Sequence, residues 1–129
     1  DASVLHAITL RLLPADDPRA GRTIDALRAA LEDNGWMYRY KMEDDFGAPS
    51  ISFVICTFWM VEALARIGRV SEARALLQRI SGQLPRLGLI SEDFDATESR
   101  FWGNFPQAYS HVGMIRAAFA ASPAWHEVL

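Results

Sequence analysis

Five helical segments follow one another along this chain, and they alternate between two kinds. One kind is apolar on nearly every side, and such a helix must be buried almost all round. The other carries a single apolar stripe and can turn its remaining surface to water. The first segment, from Ala2 to Leu12, carries Val4, Leu5, Ala7, Ile8 and Leu10, is apolar on most of its circumference, and ends at Pro14. Asp17-Pro18 then reads as an N-cap followed by proline at the first helical position. The helix it opens has Ile24, Leu27 and Leu31 on one face and Arg22, Asp25, Arg28 and Glu32 over the rest, and Asn34-Gly35 stops it. Ile51 to Ile67 is dry again, closed by Gly68. Ser71 and Glu72 start a second striped helix, with Ala73, Leu76, Leu77 and Ile80 inward. Pro106 opens the last dry helix, with Ala108, Tyr109, Val112, Met114, Ile115, Ala117, Ala118 and Phe119, and a short tail holds Trp125.

No segment alternates as a strand, so the expected class is all-α. Repeated helical hairpins with one dry and one wet partner suggest two concentric layers, buried inner helices and amphipathic outer ones. An α/α toroid satisfies that pattern. A stack of helical repeats also does, but no fixed-period signature is present. Five helices do not close a toroid of six hairpins, and three dry helices leave apolar flanks. The chain is therefore expected to be a fragment or to pair with other chains. Two long connections, Trp36 to Ser50 and Leu84 to Phe105, each precede a dry helix. Connections of that length are often functional. In a toroid they share one face, which would be the site.

Composition removes several classes. The formal net charge is −3, with Lys41 the one lysine and no basic run, so a nucleic-acid binder is not expected. The single cysteine, Cys56, rules out an intrachain disulfide and reads as a buried, inert thiol in the run Phe53 to Trp59. One Cys and three scattered His give no zinc spacing. Glu43, Asp44 and Asp45 are adjacent and lack the alternate spacing of a calcium loop. No apolar stretch reaches the roughly 18 residues of a membrane span. The chain starts at Asp1 with no signal peptide, and a cytoplasmic location is the expectation. Glu62, in a dry helix, needs a hydrogen-bond partner if buried. In the second connection Glu92, Asp93 and Asp95 stand near Phe94 and Trp102. Apolar rings beside a carboxylate exclude water and tune its proton affinity, although a solvated loop acid fits the same spacing.

At Tyr38-Arg39-Tyr40, at Phe53 to Leu64, at Gly88-Leu89-Ile90-Ser91-Glu92-Asp93 and at Gly103-Asn104-Phe105-Pro106-Gln107-Ala108-Tyr109-Ser110, the chain resembles glycoside hydrolase family 15. That family contains glucoamylases, glucodextranases and some microbial trehalases. The opening Asp1 to Leu5 and Leu13 to Pro18 resemble its bacterial members. The resemblance implies an (α/α)6 toroid of which residues 1–129 are the C-terminal part, with a β-sandwich and the first barrel helices outside this chain. It implies hydrolysis of α-glucosidic bonds with inversion, in the manner of glucoamylase, without cofactor or metal. Trehalose cleavage is the alternative within the family. A non-catalytic helical interaction module derived from such an enzyme is the alternative outside it.

Inverting glycosidases use one carboxyl as acid and another as base, about 6.5–9.5 Å apart with a water between base and sugar. The resemblance puts Glu92 at the base position and the acid in a Trp-Glu motif that this chain does not contain. Asp93 competes with Glu92, and Asp95 fits better as a turn residue. Arg39 matches an arginine that binds sugar hydroxyls, for which a planar fork of fixed donors is suited. An ion pair with Glu43, Asp44 or Asp45 is its structural reading. Trp36, Tyr38, Tyr40 and Trp102 are candidates to contact the sugar, against the plainer reading that aromatics of helical proteins are core. Tyr109 and His111, which open the last helix beside the presumed site, are also candidates to bind the sugar, with a structural histidine as the rival for His111. The expected partners are an α-glucan or α-glucoside, with no nucleic acid and no membrane, and self-association through exposed apolar helix faces.

Overall fold

The computed structural model describes residues 1–124 and Val128, so Trp125 lies outside the described residues. A 3-10 turn, Ala2–Leu5, runs into the short helix α1, His6–Thr9. The expected helix to Leu12 stops early: Arg11 adopts a φ of 62°, and Leu10 and Leu12 are exposed. The helix α2, Pro18–Leu31, starts as the sequence dictates. Asp17 accepts a hydrogen bond from the Arg19 N–H, and Pro18 occupies the first turn, where its missing N–H costs nothing.

The all-α expectation is corrected here. The fold is helix-rich, but it carries two small sheets. Asn34-Gly35 does more than stop α2. With φ of 49° and 86° the pair forms the turn of a hairpin between β1, Glu32–Asp33, and β2, Trp36–Met37. Asn-Gly suits such a turn because both residues tolerate left-handed backbone. The second sheet has three antiparallel strands in the order β3, Ser52–Phe53; β4, Asp93–Asp95; and β5, Arg100–Trp102. Ser52 pairs with Phe94, Phe53 with Asp93, and Asp93 with Trp102. The sheet therefore joins the residues just after the first long connection to a hairpin within the second.

Side chains alternate across these strands. One face sends Phe94 and Phe101 into the core, where Trp36 stacks on Phe94 with ring centres 4.1 Å apart. The other face carries Phe53, Asp93 and Trp102.

The helix α3, Val54–Arg66, is the centre of the packing and touches α1, α4 and α5. Its residues from Met60 to Leu64 are all buried, as its all-round apolarity requires. Buried Glu62 is satisfied by Arg116, whose guanidinium donates to both carboxylate oxygens at 2.7 and 3.1 Å. Cys56 is buried, and burial pushes its thiol up to about 12. The striped helix α4, Val70–Ser81, buries Ala73, Leu76 and Ile80.

The helix α5, Ala108–Ala121, packs on α3 through small residues. Gly113 lies so close that a β-carbon there would stand 3.2 Å from both Ile55 and Phe58. Its opposite face exposes Val112, Ile115 and Phe119. No helix among the described residues is long and apolar enough to cross a membrane.

Candidate active site

Glu92 immediately precedes β4 and is fixed by its backbone. Its N–H donates to Asn104 O at 3.0 Å, and its carbonyl accepts from the Val54 N–H at 2.9 Å. Two segments thus lock one residue: the loop after β5 and the start of α3. The carboxylate is oriented as well. The Tyr109 hydroxyl, at the start of α5, donates to Oε1 at 2.5 Å, and the Asn104 N–H donates to Oε2 at 3.3 Å. Burial and the Glu92 carboxylate both push the Tyr109 phenol up, so it stays protonated and donates.

Asp93 lies alongside. Burial and the charge of Glu92 raise its carboxyl to about 6. Gly103 explains how two acids fit in so little space. A β-carbon there would stand 2.8 Å from Asp93 Oδ2 and 3.1 Å from Glu92 Oε2, and its φ of 78° also favours glycine. The sequence reading did not single out Gly103 or Asn104 as site residues, although both lie in the Gly103-Asn104 segment that carried the resemblance. A glycine between an aromatic and an asparagine, Trp102-Gly103-Asn104, was the available signal.

A pocket of about 300 Å³ opens beside this pair, lined by Arg39, Tyr40, Pro49, Ile51, Phe53 and Asp93. Phe53 also packs on the Tyr109 ring, with centres 5.7 Å apart, so the pocket wall and the Glu92 support are one packed unit. Arg39 donates from Nε to Asp1 Oδ1 at 2.9 Å, not to the acidic run expected as its structural partner. Asp44 of that run instead accepts from the Tyr40 hydroxyl at 2.6 Å and from the Phe46 N–H at 2.9 Å. The first of these bonds holds Tyr40, which lines the pocket. Asp95 accepts from the N–H groups of Thr97 and Glu98 and shapes the turn between β4 and β5.

Two expected sugar contacts are corrected. Trp36 is buried in the core against Phe94 and donates from Nε1 to Gln83 Oε1 at 3.0 Å, so neither its faces nor its N–H reach a ligand. His111 has both ring nitrogens occupied by backbone. Nε2 accepts from the Ile90 N–H at 3.2 Å, and Nδ1 donates to Gln107 O at 2.7 Å. This neutral imidazole ties α5 to the segment before Glu92 and has no donor left for a sugar. Tyr38 donates to Ser50 O, and Lys41 lies over its ring. Trp102 is exposed, on the same sheet face as Asp93, with the Arg100 guanidinium over its ring.

A family model for glycosyl hydrolases family 15 matches residues 1–119. A trehalase of Mycolicibacterium smegmatis is 40% identical over 120 residues, which is 91% of this chain and 18% of that protein. A trehalase of Mycobacterium tuberculosis is 38% identical over 120 residues, again 91% of this chain and 18% of that protein. A trehalase of Thermoplasma acidophilum is 40% identical over 119 residues, 92% of this chain and 20% of that protein. The chain spans about a fifth of the length of the curated relatives it matches. No solved structure matches it significantly.

Proposed function

The chain belongs to glycosyl hydrolase family 15, and on that premise we propose that it carries the general base, Glu92, of an inverting hydrolase that cleaves trehalose. Residues 1–129 form, in this reading, the C-terminal part of the (α/α)6 toroid of the complete enzyme. The relatives named trehalase move the substrate from the starch-type oligosaccharides first expected to trehalose.

The observation that supports a base at Glu92 is the orientation of its carboxylate by Tyr109 and Asn104. A base must meet its water at a fixed angle, and a carboxylate held from two sides loses little freedom when the reaction starts. Glu92 takes a proton from water as the water oxygen bonds to the anomeric carbon. The glycosidic C–O bond breaks with its electron pair on the leaving oxygen, and the acid protonates that oxygen. The acid is not Asp93. The Gly103 position touches both carboxyls, whereas acid and base must flank the sugar from opposite sides. Nor does the chain contain a Trp-Glu pair, since Trp36, Trp59, Trp102 and Trp125 precede Met37, Met60, Gly103 and His126. The acid is assigned to another part of the complete enzyme. Arg39 and Tyr40 on the pocket wall bind sugar hydroxyls.

Proton NMR of the first glucose released from trehalose by the full-length enzyme tests this. Trehalose joins two α-glucosyl units through their anomeric carbons. Inversion releases one α- and one β-glucose per turnover, before mutarotation. Release of α-glucose alone contradicts inversion. Hydrolysis of maltose without hydrolysis of trehalose returns the substrate to the starch type.

A further inference from the structure

Glu92 accounts for one carboxyl of the pair, and the other has a different environment. Glu92 points at two donors. Among the described residues nothing donates to the Asp93 carboxyl: burial and the Glu92 charge dominate its surroundings, and Tyr109 and Cys56 share its field. It nonetheless lines the pocket with Arg39 and Tyr40. A half-buried carboxyl that opens onto a pocket whose other polar lining is an arginine and a tyrosine is free to hydrogen-bond a ligand there.

We propose that Asp93 is a specificity-determining residue of this site, binding one hydroxyl of the sugar whose bond Glu92 attacks. This rests on the reading of Glu92 as base. Its geometric support is that Gly103 lies against both carboxyls, so they stand side by side, and that Asp93 is the one of the two that lines the pocket. The ligand class is a polyhydroxylated ring that presents a hydroxyl beside the reacting carbon. Asp93 accepts from that hydroxyl when ionised and donates to it when protonated, so the contact persists through its own titration. The backbone already holds the residue: Asp93 is paired to Phe53 on one side and to Trp102 on the other, and its carbonyl accepts from the Ser91 hydroxyl at 2.8 Å. The backbone that carries the side chain is therefore fixed at the pocket edge.

The test is steady-state kinetics of the full-length enzyme with trehalose and its monodeoxy analogues, comparing wild type with Asp93→Ala, Asp93→Asn and Glu92→Gln. A site built around a substrate hydroxyl discriminates strongly against an analogue lacking it. Asp93→Ala is expected to lower kcat/KM on trehalose by roughly 10- to 100-fold, the loss typical of a buried polar contact. On the one analogue that lacks the contacted hydroxyl, Asp93→Ala and wild type are expected to agree within about threefold, since neither makes the bond. Asp93→Asn keeps the shape with a donor and an acceptor, and is expected to lose less than Asp93→Ala. An equal loss on trehalose and every deoxy analogue would be a structural effect and overturns the inference, as does no loss at all. Either result, with Glu92→Gln still inactive, leaves the base assignment standing. Turnover abolished in Asp93→Asn but retained in Glu92→Gln overturns both, because Asp93 would then be the base.

Discussion

The two adjacent acids show how neighbours in sequence acquire different chemistry. Glu92 gains donors from α5 and from the loop after β5, while Asp93 gains a pocket wall. The raised Asp93 carboxyl has a consequence for stability. Folded, it titrates near 6, above its ordinary 3.8, so between those values the folded state binds more protons than the unfolded one. Stability therefore falls as pH rises through that window, and the loss is complete above it. Asp93→Asn is expected to melt above wild type at pH 7–8 and to converge with it below pH 4, which thermal melts across pH will show. Tyr109→Phe removes one of the two bonds that orient the Glu92 carboxylate. If Glu92 is the base, as proposed, it is expected to lower kcat about tenfold with little change in KM, since the bond would then serve the reacting geometry rather than ground-state binding. At this scale the sequence was only partly legible. Glu92 and Arg39 stood out through the motifs that carried the resemblance. The core position of Trp36 depends on Phe94 and Phe101, and the bonding of His111 on the backbone of Ile90, partners that local patterning does not reveal.

Among the elements, the helices were the most readable because each carries its own punctuation. Asp17-Pro18 opens α2, and Gly68 follows α3 with a φ of 84°. The strands were not readable, because two or three residues are too few to show alternation. Asn34-Gly35 did carry a hairpin signal, but at the end of a striped helix it also fits a stop. The contact of α5 with α3 depends on Gly113, where the nearest atoms to an added β-carbon include Phe58 Cβ, which cannot swing away without its backbone. Gly113→Val is therefore expected to destabilise the protein by about 1–3 kcal/mol despite the higher helix propensity of most residues over glycine. Denaturant melts will measure it, and an unchanged midpoint would mean that α5 is free to shift.

For the whole molecule, alternation of dry and wet helices was the strongest guide, and α3 fulfils it. The helix α5 fulfils it on one face and leaves Val112, Ile115 and Phe119 open on the other. Contiguous apolar surface of this kind marks association. The isolated 129-residue chain is expected to self-associate in light scattering, and Ile115→Lys with Phe119→Lys to reduce it. The same isolated chain is expected to release no glucose from trehalose, because on the proposed reading it holds the base without an opposing acid. Whether Glu92 is the base is decided by kcat of the full-length enzyme on trehalose. Glu92→Gln keeps the shape and removes the basicity, and loss of a general base typically costs about 10²–10⁴ in rate. A fall of at least that order is expected in Glu92→Gln and a milder one in Asp93→Asn. Near-normal kcat in Glu92→Gln would contradict that assignment.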